Sequence, residues 1–172
     1  MKKMISRRNF LKAAGVTAAA SAMAAAVPQA SAGFLTGKDA AVTILYTNDV
    51  HTYIDNKSPK LTYAAIAAMK QGYVDEGKPV LLVDAGDHIQ GTAYGSMDDG
   101  ATIIELMNEA GYDIATLGNH EFDYGMARAK AIIKEADFPY VSCNWVDLRT
   151  GLRVLPAVKL LHAGGKWIAF AG

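Results

Sequence analysis

Three short clusters in the 172-residue chain bring together residue types that bind metal ions or move protons. The first is Asn48-Asp49-Val50-His51, the second Asp84-Ala85-Gly86-Asp87-His88, and the third Gly118-Asn119-His120-Glu121-Phe122-Asp123. Carboxylates and the amide oxygen of Asn suit hard divalent ions, and imidazole is a common nitrogen ligand. In an extended stretch, residues two apart point the same way, so Asp49 and His51 can reach one ion together. One Asp-x-His by itself is ordinary surface polarity. Three such clusters in register would be a site.

The elements around the clusters supply that register. Ala41 to Thr47 is an apolar, β-rich run, as expected for a strand buried on both faces. A helix should follow, with Leu61, Ala64, Ala65 and Ala68 on one stripe and Gly72 near its end. Pro79 introduces a second buried strand, Val80 to Val83, and Thr102 to Ala110 is helical by pattern, with Ile103, Leu106, Met107 and Ala110 at helical spacing and Gly111 as its stop. A third strand is predicted over Asp113 to Leu117. Ala129, Ile132, Ile133 and Ala136 then mark a helix closed by Pro139, followed by a strand over Tyr140 to Trp145. Ala157 to Leu161 and Trp167 to Ala171, around Gly164-Gly165, read as a β-hairpin. Strand–helix alternation of this kind implies an α/β layered domain with right-handed crossovers. Each cluster therefore falls at the carboxyl end of a strand, where such folds gather ligands.

Residues 1–32 read as an export signal and residues 33–172 as the working domain. Basic residues come first, then an apolar run from Ala13 to Val27 that is too short for a membrane span, then Ala30-Ser31-Ala32 as a cleavage signal. Ser6-Arg7-Arg8-Asn9-Phe10-Leu11-Lys12 looks like the twin-arginine signal at every position, which implies the twin-arginine export machinery as a partner. No stable membrane anchor is expected, and the working compartment is periplasmic or extracellular. The chain's 17 bases balance its 17 acids, but residues 1–32 hold five bases and no acid, so the remainder carries a net charge of −5. That gives no electrostatic reason to expect a nucleic-acid polymer as partner. Cys143 is the only cysteine, so no intrachain disulfide can form.

Thr47-Asn48-Asp49-Val50-His51, Gly86-Asp87-His88-Ile89-Gln90-Gly91-Thr92 and Gly118-Asn119-His120-Glu121-Phe122-Asp123-Tyr124-Gly125 resemble the first three blocks of the calcineurin-like metallophosphoesterases. The resemblance is narrower to the bacterial 5′-nucleotidase and 2′,3′-cyclic-nucleotide phosphodiesterase branch. It implies a metallophosphoesterase-type sheet flanked by helices, incomplete at the C-terminus, and hydrolysis of nucleotide or other phosphate esters. It further implies two divalent ions (Mn, Zn, Co or Mg), about 3.5–4 Å apart, with a metal-bound hydroxide as nucleophile. Asp49 and His51 would hold one ion, Asp87 would bridge both and Asn119 would hold the second. His120 would stabilise the phosphoryl oxygens or protonate the leaving alkoxide, with Asp123 orienting its ring and favouring its charged form.

Other polar residues have plainer expected roles. Asp84 and Glu121 should hydrogen-bond nearby structure, and His88 should stand behind the ligands or in the pocket wall. His162 should be exposed in the hairpin, and Cys143 should be buried in packing. Phe122 and Tyr124 should pack or flank a substrate base. The four histidines are His51, His88, His120 and His162, so a Gly-His and a Gly-His-x-His block that the family adds later do not occur among these residues. The chain is therefore expected to be a fragment. The alternatives are a thiosulfohydrolase-like member of the same superfamily and a non-catalytic truncated remnant.

Overall fold

A computed structural model describes residues 41–54 and 62–172. The export signal, the lead-in to Ala40 and Leu61 lie outside the described residues. Four parallel strands form the main sheet in the order β1-β2-β3-β4: β1 Thr43–Thr47, β2 Val80–Asp84, β3 Ile114–Thr116 and β4 Tyr140–Val141. Parallel neighbours need crossover connections, and α1 Tyr63–Asp75, α3 Ala101–Ala110 and α4 Met126–Glu135 supply them. A four-residue helix, α2 Ala93–Ser96, precedes α3, and a 3-10 turn, His120–Phe122, follows β3. The chain continues into an antiparallel hairpin, β5 Val158–Ala163 with β6 Lys166–Ala171, as its turn glycines predict.

Leu82 and Ala115 point to the helix face, where they meet Ile66, Ile103, Ile104, Met107 and Ile132 in one buried cluster. Leu81 and Ile114, one residue earlier on each strand, face the other way and are also buried. This explains why β2 and β3 read as continuous apolar runs. β1 departs from the expected burial on both faces, since Ile44 and Tyr46 on this outermost strand are exposed. Register carries the strand ends to one level: Thr47 pairs with Asp84, Asp84 with Ala115, and Thr116 with Val141.

The expected helix stripes shift in two places. In α1 the buried residues are Tyr63, Ala64, Ile66 and Ala67, not an Ala65/Ala68 stripe. The helix runs through Gly72 to Asp75, because the left-handed stop is Gly77 at φ 69°. Thr62 starts this helix, its hydroxyl accepting the Ala65 N–H at 3.2 Å. In α3, Ile104 rather than Leu106 is buried beside Ile103, Met107 and Ala110, and Gly111 stops the helix at φ 77°.

Two further expectations are corrected. α4 ends at Glu135 because Ala136 turns extended three residues before Pro139. β4 stops at Val141, since the Ser142 hydroxyl accepts the Trp145 N–H at 3.2 Å and closes a turn there. Cys143 sits in that turn and is exposed, not packed in the core.

Candidate metal centre

Beyond the last paired residues of β1 and β2, the two strand-end loops keep hydrogen bonding. Ala85 N–H donates to Thr47 O at 2.8 Å, Asp49 N–H to Gly86 O at 3.1 Å, and His51 N–H to Asp87 O at 3.0 Å. The loops are not extended, however. Asp49, His51, Thr52 and Asp87 all have positive φ, between 46° and 58°. Asp and His tolerate this region better than most side chains, and a β-branched Thr hardly does. Each such residue costs about 1–3 kcal/mol and persists only where its surroundings fix it, a pattern that clusters at functional sites. Asp49 and His51 thus converge through left-handed loop geometry and not through strand alternation. Asp49 Oδ1 lies 3.9 Å from His51 Nε2.

Fixation comes from several directions. Thr52 is fully buried, its hydroxyl accepting the Thr92 N–H at 2.7 Å, while the Thr92 hydroxyl donates to Thr52 O at 3.0 Å. His51 Nδ1–H donates to the Gln90 carbonyl at 3.0 Å. A carbonyl can only accept, so the neutral ring keeps its lone pair on Nε2, the state a metal ligand needs. The loops after β2 and β3 touch backbone to backbone. A Cβ on Gly86 would strike the Gly118 amide, and one on Gly118 would strike the Asp87 carboxylate. Only glycine fits at either place.

Under the loops runs a buried polar row. The Thr47 hydroxyl donates to Asp84 Oδ2 at 2.5 Å and meets the Tyr112 hydroxyl at 2.8 Å. Asp84 Oδ1 accepts the Gly86 N–H at 2.8 Å and the His88 Nδ1–H at 2.7 Å. The Tyr140 hydroxyl meets His88 Nε2 at 2.9 Å. Asp84 therefore binds backbone as expected, and His88, with 0% exposure, stands behind the loop and not in an open pocket. Burial opposes charge on His88, but Asp84 and Glu121 outweigh it and raise its pKa. Glu121 is also wholly buried and accepts backbone N–H groups from both neighbouring loops.

One ligand atom each from His51, Asp87 and His120 lies within 4.8 Å of the others. The His51 and His120 rings meet edge to face at 4.9 Å. Asp87 Oδ1 accepts the His120 N–H at 2.8 Å, which leaves its remaining lone pairs for an ion. His120 Nδ1–H donates to Asp123 Oδ2 at 2.7 Å, and that hydrogen bond raises the His120 pKa against a smaller desolvation effect. Asp49, Asn119 and Asp123 are exposed at the rim. Phe122 packs edge-on against Trp145 at 5.1 Å, Tyr124 packs against the core, and His162 is exposed beside Trp167. A carboxylate and two imidazoles in such proximity fit a divalent cation. Thr52, Thr92, Tyr112 and Tyr140 were not singled out from sequence. Thr92 stands inside the second block, but nothing in the pattern distinguishes a supporting threonine from a surface one.

Residues 42–169 match the calcineurin-like phosphoesterase family, and residues 4–27 match the twin-arginine translocation pathway signal sequence. The chain is 40% identical over 114 residues to the snake venom 5′-nucleotidase of Gloydius brevicauda, covering 60% of this chain and 19% of that protein. The crystal structure of the 5′-nucleotidase precursor from Thermus thermophilus superposes with a TM-score of 0.67 at 29% identity, covering 76% of this chain and 28% of that one. The sulfate thiohydrolase SoxB of Thermus thermophilus shares the fold, with a TM-score of 0.65 at 16% identity, over 80% of this chain and 36% of that one. The chain thus spans about a fifth of the venom enzyme and a little over a quarter of the Thermus nucleotidase. With a twin-arginine signal ahead of this fold, the chain is directed across the membrane, and no helix among the described residues is long and apolar enough to span one. With three ligand-bearing loops at successive strand ends and a family match across residues 42–169, the chain belongs to the calcineurin-like phosphoesterases.

Proposed function

We propose that this chain carries the first part of a two-metal centre that hydrolyses phosphate esters of nucleotides. The observation that carries the reading is the convergence of His51, Asp87 and His120 within 4.8 Å at the ends of consecutive parallel strands. Asp49, His51 and Asp87 would hold one ion, and Asp87 and Asn119 the other. Bound divalent ions supply charge that activates water near neutral pH and offsets the negative charge of the phosphoryl group. The chain's own residues do the rest. The Gln90 carbonyl holds the His51 tautomer, and Asp123 orients the His120 ring and favours its charged form. A charged His120 is a donor to a phosphoryl oxygen or to the leaving alkoxide. Similarity to proteins named 5′-nucleotidases favours a nucleotide ester over a thiosulfate-type substrate, since the SoxB likeness extends to fold alone.

Ligand arithmetic sets the expected behaviour of these 172 residues. Three side chains serve one ion and two the other, with Asp87 counted twice, and the family's later histidines would complete both shells. The chain alone should therefore bind ions weakly and turn over little substrate. Phosphate release from a nucleoside monophosphate with Mn²⁺ tests this, comparing the 172-residue chain with one extended through a Gly-His and a Gly-His-x-His block. Release by the extended protein alone is expected. Comparable turnover by the shorter chain would overturn the ligand assignment.

A further inference from the structure

Glu121, in the 3-10 turn after β3, is fully buried yet contacts no proposed ligand side chain through its carboxylate. Its two oxygens instead collect main-chain N–H groups from two loops. Oε2 accepts from Asp87 at 2.8 Å and from Gly118 at 2.7 Å. Oε1 accepts from His88 at 2.8 Å and from Ile89 at 3.4 Å. In return Asp87 Oδ1 accepts the His120 N–H at 2.8 Å. Each loop thus sends one carboxylate into the backbone of the other, and Gly86 and Gly118 let them close without a Cβ between.

We infer that Glu121 is a positioning residue that clasps the Asp87 loop to the Asn119–His120 loop and so sets the spacing of the metal ligands. The inference rests on the reading of the site as a metal centre. Its physical basis is acceptor count. Four donors converge on two oxygens, which only an acceptor-only carboxylate serves fully. Glutamine would turn an NH₂ group toward backbone N–H donors, and aspartate is one methylene too short to keep both loops in reach. The clasp also holds the Asp87 and His88 N–H groups while Asp87 sits at φ 58°, a conformation a free loop would leave. Two ions about 3.5–4 Å apart tolerate little drift between Asp87 and Asn119. Loss of an outer partner of this kind typically weakens metal affinity by about 10–100-fold.

The test joins Mn²⁺ binding by the protein extended through the later histidine blocks, followed by electron paramagnetic resonance, to amide hydrogen exchange on the metal-free protein. In the wild-type chain the Gly118, Asp87 and His88 amides should be protected. In Glu121→Gln they should exchange faster, and Mn²⁺ affinity should fall about tenfold or more. Ile132→Val, in the core of α4, is the control for general loss of stability and should keep wild-type affinity. Wild-type affinity in Glu121→Gln, or an equal loss in Ile132→Val, would overturn the inference. If the wild type took up no Mn²⁺, the metal-centre reading would fail by itself. Amide protection in the wild type would then still decide the clasp, as it would if Glu121→Gln did not fold: slow exchange supports it and fast exchange overturns it.

Discussion

His120 stands between two roles. Its ligand atom lies close enough to His51 and Asp87 to join them on an ion. Its Nδ1–H, however, is held by Asp123 at 2.7 Å, and the hydrogen bond to that carboxylate favours the charged ring. An imidazolium has no lone pair for a metal, so the charged state argues for work on the substrate. In the extended, metal-loaded protein, His120→Ala should lower turnover by about 10²–10⁴-fold, the range of a lost acid–base group. Metal content, measured by elemental analysis after dialysis, should stay at the wild-type level. Loss of an equivalent of ion together with turnover would make His120 a ligand. At this scale the three side chains that converge, His51, Asp87 and His120, were readable from their types and spacing. The Gln90 carbonyl that fixes the His51 tautomer was not, because a main-chain acceptor leaves no mark on residue identity.

The secondary elements place these loops, and α1 shows how a local rule is overruled. Gly72 and Gly77 both stand near the end of the periodic pattern, and either can end a helix. Only Gly77 takes the left-handed conformation. Gly72 remains inside the helix, and a Cβ built there meets nothing within 4 Å. Gly72→Ala should therefore stabilise the chain by about 0.5–1 kcal/mol, read as a raised midpoint in urea denaturation. An unchanged or lowered midpoint would mean that the helix ends earlier. The same contest between local signals explains the other boundaries. β2 and β3 were legible because burial on both faces leaves unbroken apolar runs, and the hairpin because Gly164-Gly165 separates two such runs. The short β4 was over-read, since Tyr140 to Trp145 has strand composition while the Ser142 hydroxyl bonds a turn. The positive φ of Asp49, His51 and Asp87 was illegible for a related reason: hydrogen bonds between the loops of different strands impose it, and no local pattern records those distant partners.

For the molecule as a whole, the export signal predicts a link between folding and transport. The twin-arginine match at residues 4–27 implies a route that carries folded proteins, so the sheet and its loops are expected to form before transport. Outside the core, the described surface leaves Tyr46 at 74% exposure on β1 and Trp167 at 69% on β6, apolar area that adds nothing to stability in this state. Stability then depends heavily on the cluster around Leu82, which is completely buried. Leu82→Ala removes that side chain from the middle of β2 and should cost about 2–5 kcal/mol, a large share of the total for a domain of this size. If export requires the folded state, the variant should accumulate as precursor in the cytoplasm in proportion to its loss of stability. Replacing Arg7 and Arg8 by lysine should trap the precursor as well, but with the melting temperature unchanged, because these residues precede the domain. Mature protein from the wild type should begin near Gly33, as N-terminal sequencing would read. Immunoblots of cytoplasmic and periplasmic fractions for the three forms decide the matter. Normal export of the lysine variant would assign the general secretory route, and normal export of Leu82→Ala beside a trapped lysine variant would separate export from folding.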